Sequence, residues 1–113
     1  VYKTSKELIL VTYVMLKKFP SEEKYALCDQ IRRSVISVPA NIAEGMGRTS
    51  KKEQRHFLEI AYGSLNEVMC QLELAHELQM IGNHDLQKSE EIVKSIAQML
   101  SGLRNSRLQT INR

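Results

Sequence analysis

Only two of the 113 residues are proline and five are glycine, and between these few breakers the apolar residues return at every third or fourth position. Cys28, Ile31, Val35, Val38 and Ile42 are spaced 3, 4, 3, 4, and Leu58, Ala61, Leu65, Val68, Leu72 and Ala75 keep the same rhythm. A repeat near 3.6 places each set on one face of an α-helix, whereas a half-buried strand alternates at every second residue. The absence of Trp and the scarcity of other aromatics remove the side chains on which a β-sandwich core relies. An all-α fold follows.

Four helices are expected. Thr4 with Glu7 three residues on is a capping-box pattern, and Leu8, Val11 and Met15 then carry helix 1 to about Lys18. Phe19-Pro20-Ser21 stops it, with Ser21 as N-cap of helix 2 and Glu22 and Glu23 suited to the positive end of its dipole. Pro39 interrupts the seam of helix 2 without changing its phase, which points to a kinked continuation rather than an end. Gly45 is expected as a left-handed cap opening the turn to Thr49, and Thr49 or Ser50 caps helix 3, which runs from Lys51 to about Gln79. Gly63 inside helix 3 suggests a close helix crossing. Ile81-Gly82-Asn83 breaks the chain again, and Val93, Ile96, Leu100 and Leu103 mark helix 4 from about Asp85 to Arg107, with a fraying tail. Short loops make sequential neighbours antiparallel, hence one up-down-up-down four-helix bundle over residues 1–113 with a proline-kinked second helix.

The size allows one hydrophobic core, and 42% hydrophobic with 26% charged residues is a globular rather than a disordered composition. The longest unbroken apolar run, Leu8–Val11, is far short of the roughly 20 residues that span a bilayer. No signal-peptide pattern opens the chain, so a cytoplasmic protein with no membrane partner is expected. Val1 stands where an initiator Met would, so a few further residues are expected upstream. Cys28 and Cys70 form no CxxC pair and lie in apolar-periodic stretches, which predicts buried thiols. Leu27, Ile36, Phe57, Ile60, Tyr62 and Met69 fall off the main stripes. They fit either a second buried face and self-association or a broad core stripe with scattered exposed apolar residues.

No catalytic constellation emerges. Glu53 to His56 and Glu73 to His76 each match the E-x-x-H string of di-iron bundles, but they lie 20 residues apart on one helix, roughly 30 Å by helical rise. They cannot share a metal pair. Arg48 and His56 are too far apart for the short Arg-His motif of helical RNA-cleaving folds. Gly45-Met46-Gly47 lacks the strand that a nucleotide-binding glycine loop follows. No enzymatic activity and no cofactor are expected.

Charge is the more informative feature. The net +3 is modest, but residues 32–55 carry Arg32, Arg33, Arg48, Lys51, Lys52 and Arg55 against Glu44 and Glu53, a local +4. Residues 56–91 carry Lys88 against Glu59, Glu67, Glu73, Glu77, Asp85, Glu90 and Glu91, a local −6. The six basic residues are the candidate nucleic-acid contacts, through phosphates rather than bases because few aromatics lie among them. The competing reading is a solvated surface in which Glu44, Glu53 or Glu59 pair these cations, with Arg32 and Arg33 set against the acidic helix 3 of another subunit. Pro39, Asn41, Glu44 and Gly45 form a structural motif at the kink and turn, with Glu44 four residues before Arg48. A partner pocket at the same end of the bundle is the alternative.

The stretch from Phe19 to Glu67, with QIRRS (Gln30–Ser34), VPANIAEGMGR (Val38–Arg48), SKKE at the start of helix 3 and AYGSLNE (Ala61–Glu67), resembles the bacterial four-helix bundle family of 23S ribosomal RNA intervening-sequence proteins. The resemblance implies a small cytoplasmic homo-oligomer, a pentamer of four-helix subunits, without established enzymatic activity. The family name records gene location in ribosomal RNA genes. A related branch resembles the accessory proteins of diversity-generating retroelements, whose basic pentamers work with a reverse transcriptase and nucleic acid. Self, RNA or DNA, and a nucleic-acid enzyme are therefore the expected partners, and a purely structural or protein-binding module is the alternative.

Overall fold

A computed structural model describes residues 1–19 and 26–111, with residues 107–111 described by backbone alone. Among them the regular elements are four α-helices: α1 (Tyr2–Leu16), α2 (Leu27–Met46), α3 (Lys51–Glu77) and α4 (Asn83–Ile111). Each packs against its neighbours in sequence, and α1 closes the ring on α4. Lys18, just after α1, bonds Asp85 at the start of α4, while Ser34 and Ser37 of α2 meet Glu67 and Ser64 of α3. These pairings make α1 and α4, and α2 and α3, antiparallel. The bundle measures 51 × 23 × 20 Å.

The seams read from spacing are the core. All five α2 positions and all six α3 positions are at most 1% exposed, and Leu8, Met15, Ile96 and Leu100 complete the interior. α2 runs through Pro39 as one helix. The ring withholds one N–H from the helix ladder, and its burial in the core compensates that loss.

Several boundaries differ from expectation for local physical reasons. α1 starts at Tyr2 after Val1, and no side chain caps it, so Thr4 lies inside the first turn and the capping box does not form. The predicted Ser21 cap lies outside the described residues. Gly45 is helical, and no glycine has a positive φ. Its role is proximity: a Cβ there would stand 3.1 Å from the Phe57 Cβ and 3.3 Å from the Gln54 carbonyl oxygen. Gly63, expected at a crossing, faces outward with nothing within 4 Å of a Cβ. Cys28 is buried as expected, whereas Cys70 is exposed because it lies on the outer face of α3, opposite Leu65, Val68 and Leu72. α4 begins two residues earlier than expected and continues to Ile111 instead of fraying at Arg107.

The left-handed position of the α3–α4 reversal is not taken by the glycine of that turn, Gly82. Gln79 is the left-handed residue, at φ 63°. Its N–H bonds the His76 carbonyl, and the Met80 N–H reaches back to the Ala75 carbonyl at 2.9 Å. This is the Schellman pattern, whose left-handed position glycine occupies at least cost. Gln79→Gly is therefore expected to stabilise the fold by about 0.5–1 kcal/mol, read as a rise in the urea midpoint at unchanged slope. Gly45→Val should act in the opposite sense, lowering the midpoint, because its branched side chain would press on Phe57 and the α3 backbone.

Candidate nucleic-acid interface

The basic residues collect at two places along α2 and α3. At one end of the bundle α2 stops at Met46 with Gly47 as C-cap, and Ser50 restarts the chain by accepting the Glu53 N–H at 3.1 Å. Lys51 and Lys52 are the first residues of α3, both exposed. Arg48 lies in the turn before them. Its guanidinium donates to the Glu44 carboxylate four residues back and sits 4.9 Å from the Phe57 ring centroid, while its carbonyl accepts the Gln54 side-chain N–H at 2.7 Å. Phe57 is thus half-buried beneath an arginine rather than sealed in the core.

Intrachain acids hold three of the six cations. Arg48 pairs with Glu44, Arg55 Nε with Glu59 Oε1 at 3.2 Å, and Arg32 Nη1 with Asp29 Oδ1 at 3.3 Å. All are partly solvent-exposed, so each contributes well under a kcal/mol and can exchange for another anion. Among the described residues Lys51, Lys52 and Arg33 make no ion pair. Arg32 and Arg33 lie 15 and 14 residues before Gly47, the C-cap of their helix, about 20 Å away by helical rise. The structure brings Arg48, Lys51, Lys52 and Arg55 together at one end and leaves Arg32 and Arg33 as a separate pair near α1, where the Arg32 guanidinium covers the Tyr13 ring at 5.8 Å.

Arg33 lines a shallow polar cleft with Gln30, Ser34, Glu67 and Gln71. Ser34 donates to Glu67 Oε2 at 2.9 Å, and Gln71 Oε1 is buried with no donor within reach. Single-sequence reasoning had no signal for this cleft, since its members are scattered over α2 and α3 and form no motif. The structural quartet is local: Asn41 donates to the Ser37 carbonyl at 2.8 Å and to its hydroxyl at 2.9 Å, two residues after the buried Pro39. Ser37 in turn bonds Ser64 across the helix pair. Asn41, Glu44 and Gly45 therefore serve the α2–α3 contact and the turn beyond it.

The E-x-x-H residues occupy opposite ends of α3. His56 stands edge-on to Phe57, and His76 bonds Asn83 at the start of α4. Among the described residues no three His, Cys, Asp or Glu side chains are grouped to hold a metal ion, and no helix is long and apolar enough to cross a membrane.

Because Ser50 is the only side chain that caps the helix bearing Lys51 and Lys52, Ser50→Ala is expected to cost about 1 kcal/mol in denaturant unfolding.

Comparison with known proteins agrees with this architecture. A crystal structure from Bacteroides thetaiotaomicron VPI-5482, of a protein with unknown function from the S23 ribosomal protein family, superposes with a TM-score of 0.84. It is 23% identical, and the match covers 91% of this chain and 96% of that one. No curated protein sequence matches the chain. The profile of the 23S rRNA-intervening sequence proteins matches residues 1–102, so the chain belongs to the 23S rRNA-intervening sequence protein family.

Proposed function

We propose that this protein is a non-enzymatic, cytoplasmic, homo-oligomeric helical scaffold whose assembled copies offer the turn between α2 and α3 to the phosphate backbone of a nucleic acid. The observation that carries the reading is the exposed pair Lys51 and Lys52, without an ion-pair partner among the described residues, at the positive end of a 27-residue helix and beside Arg48 and Arg55. Phosphates are favoured at such a helix start by the unsatisfied N–H groups and the dipole. A single patch of this size is weak. Repetition around an oligomer, pentameric in the reading drawn from the resemblance, makes it effective by multivalency. Pro39 bends α2 and so sets the angle at which the turn is presented. Arg48 and Arg55, already held by Glu44 and Glu59, position the turn more than they bind.

A second reading, a protein-binding module without nucleic acid, is favoured by a different observation. Arg32, Arg48 and Arg55 have intrachain acidic partners, and Leu10, Val14, Ile36, Ile60 and Leu74 are exposed. Titration of wild-type protein and the Lys51→Glu/Lys52→Glu variant against structured RNA and duplex DNA at several salt concentrations separates the two. The expected result is salt-sensitive binding whose log-log slope falls by about 1–2 in the variant, as two phosphate contacts are lost. Absence of binding by the wild type at low salt would overturn the nucleic-acid reading and leave the protein-binding one.

A further inference from the structure

The face of α1 that points away from the core carries Lys3, Lys6, Leu10, Tyr13 and Lys17, all exposed and spaced 3, 4, 3, 4. It lies opposite the buried row Ser5, Leu8, Thr12 and Met15. Val14 stands beside Leu10, and these two are among the most exposed large apolar residues, at 58% and 69%. The outward face of α3 repeats the rhythm with Ile60, Gly63, Glu67, Cys70 and Leu74, also all exposed, and is flanked by Glu59, Glu73 and Glu77. Each row covers 14 residue steps, about 21 Å. One row is basic and apolar, the other acidic and apolar.

Glu67 accepts the Ser34 hydroxyl and Glu59 pairs with Arg55, but most charges of the two rows stay unneutralised among the described residues. Among the described residues Lys3, Lys6, Lys17, Glu73 and Glu77 make no ion pair. Gly63 adds an independent indication. A glycine in a helix interior weakens it, and here nothing among the described residues approaches within 4 Å of its missing Cβ. Space at the centre of an exposed, regularly spaced row suits the close approach of another helix.

We infer that α1 of one copy docks antiparallel along α3 of a second copy, with Lys3, Lys6 and Lys17 set against Glu77, Glu73 and Glu67, Leu10 beside Cys70, and Val14 beside the gap at Gly63. This inference rests on the self-association proposed above and specifies its surfaces. α1 and α3 are diagonal in the bundle, since each packs on α2 and α4. Their outer faces therefore point to different sides of the molecule. The contact is heterologous, and copies join head to tail into a ring or, if the rotation does not close, a filament.

Charge reversal tests the pairing. Wild-type protein, Lys3→Glu/Lys6→Glu/Lys17→Glu and Glu73→Lys/Glu77→Lys are compared by light scattering over a concentration series, with circular dichroism to verify the helical fold. Each reversed variant is expected to dissociate at about tenfold or higher concentration than wild type. An equimolar mixture of the two should regain mass, because the opposite faces again match. Gly63→Leu, which leaves every charge in place, should also dissociate while remaining folded. If both reversed variants keep the wild-type mass, the α1–α3 seam is overturned and self-association stands. If wild-type protein is monomeric throughout, self-association and the seam fail together.

Discussion

The close antiparallel contact of α2 and α3 is the constraint on which the other features depend. Gly45 brings the end of α2 against the Phe57 Cβ and the backbone at Gln54, and further along Ser37 meets Ser64 and Ser34 meets Glu67. Small side chains let the two backbones approach, the Ser37 and Ser64 hydroxyls bonding each other and the Ser34 hydroxyl donating to the Glu67 carboxylate. That approach also brings Arg48 over Phe57 and lets Gln54 reach the Arg48 carbonyl, so the basic turn is held by the same contact that aligns the core.

A consequence is the division of labour among the cations. A helix pair that ends in a tight turn needs polar groups to satisfy its loose ends, and Glu44, Arg48 and Gln54 do that work. Lys51, Lys52 and Arg33 have no such duty among the described residues. The interior of the bundle is filled by apolar side chains, and its charge is placed on outward surfaces.

Much of the core was legible because helical burial is periodic. Every position of the α2 and α3 seams, from Cys28 to Ile42 and from Leu58 to Ala75, is buried. A cap of α3 at Thr49 or Ser50 was legible for a local reason, since a cap bonds an N–H only three residues away, and the structure selects Ser50. Thr4 was misread because the same local pattern occurs inside a helix, and only the start of α1 at Tyr2 shows which case applies. Cys70 was misread because thiols are often buried, although its position on the wheel of α3 already placed it opposite Leu65 and Val68. The i, i+4 pair of Glu44 and Arg48 was readable; the polar cleft formed by Arg33, Glu67 and Gln71 was not.

What the sequence determined by itself was therefore everything set by neighbours within a turn or two: four helices, their buried faces, and the sign of the charge along each. Tertiary structure alone decided the roles of the glycines and of the basic residues. Gly45 and Gly63 are both helical glycines, yet one closely approaches another helix and the other, among the described residues, faces open space. That difference is set by the direction in which each helix face points within the bundle, and it depends on residues far away in the chain. For the same reason, six cations close in sequence became two separate clusters: helical rise spreads them along the molecule, and packing chooses which of them meet an acid.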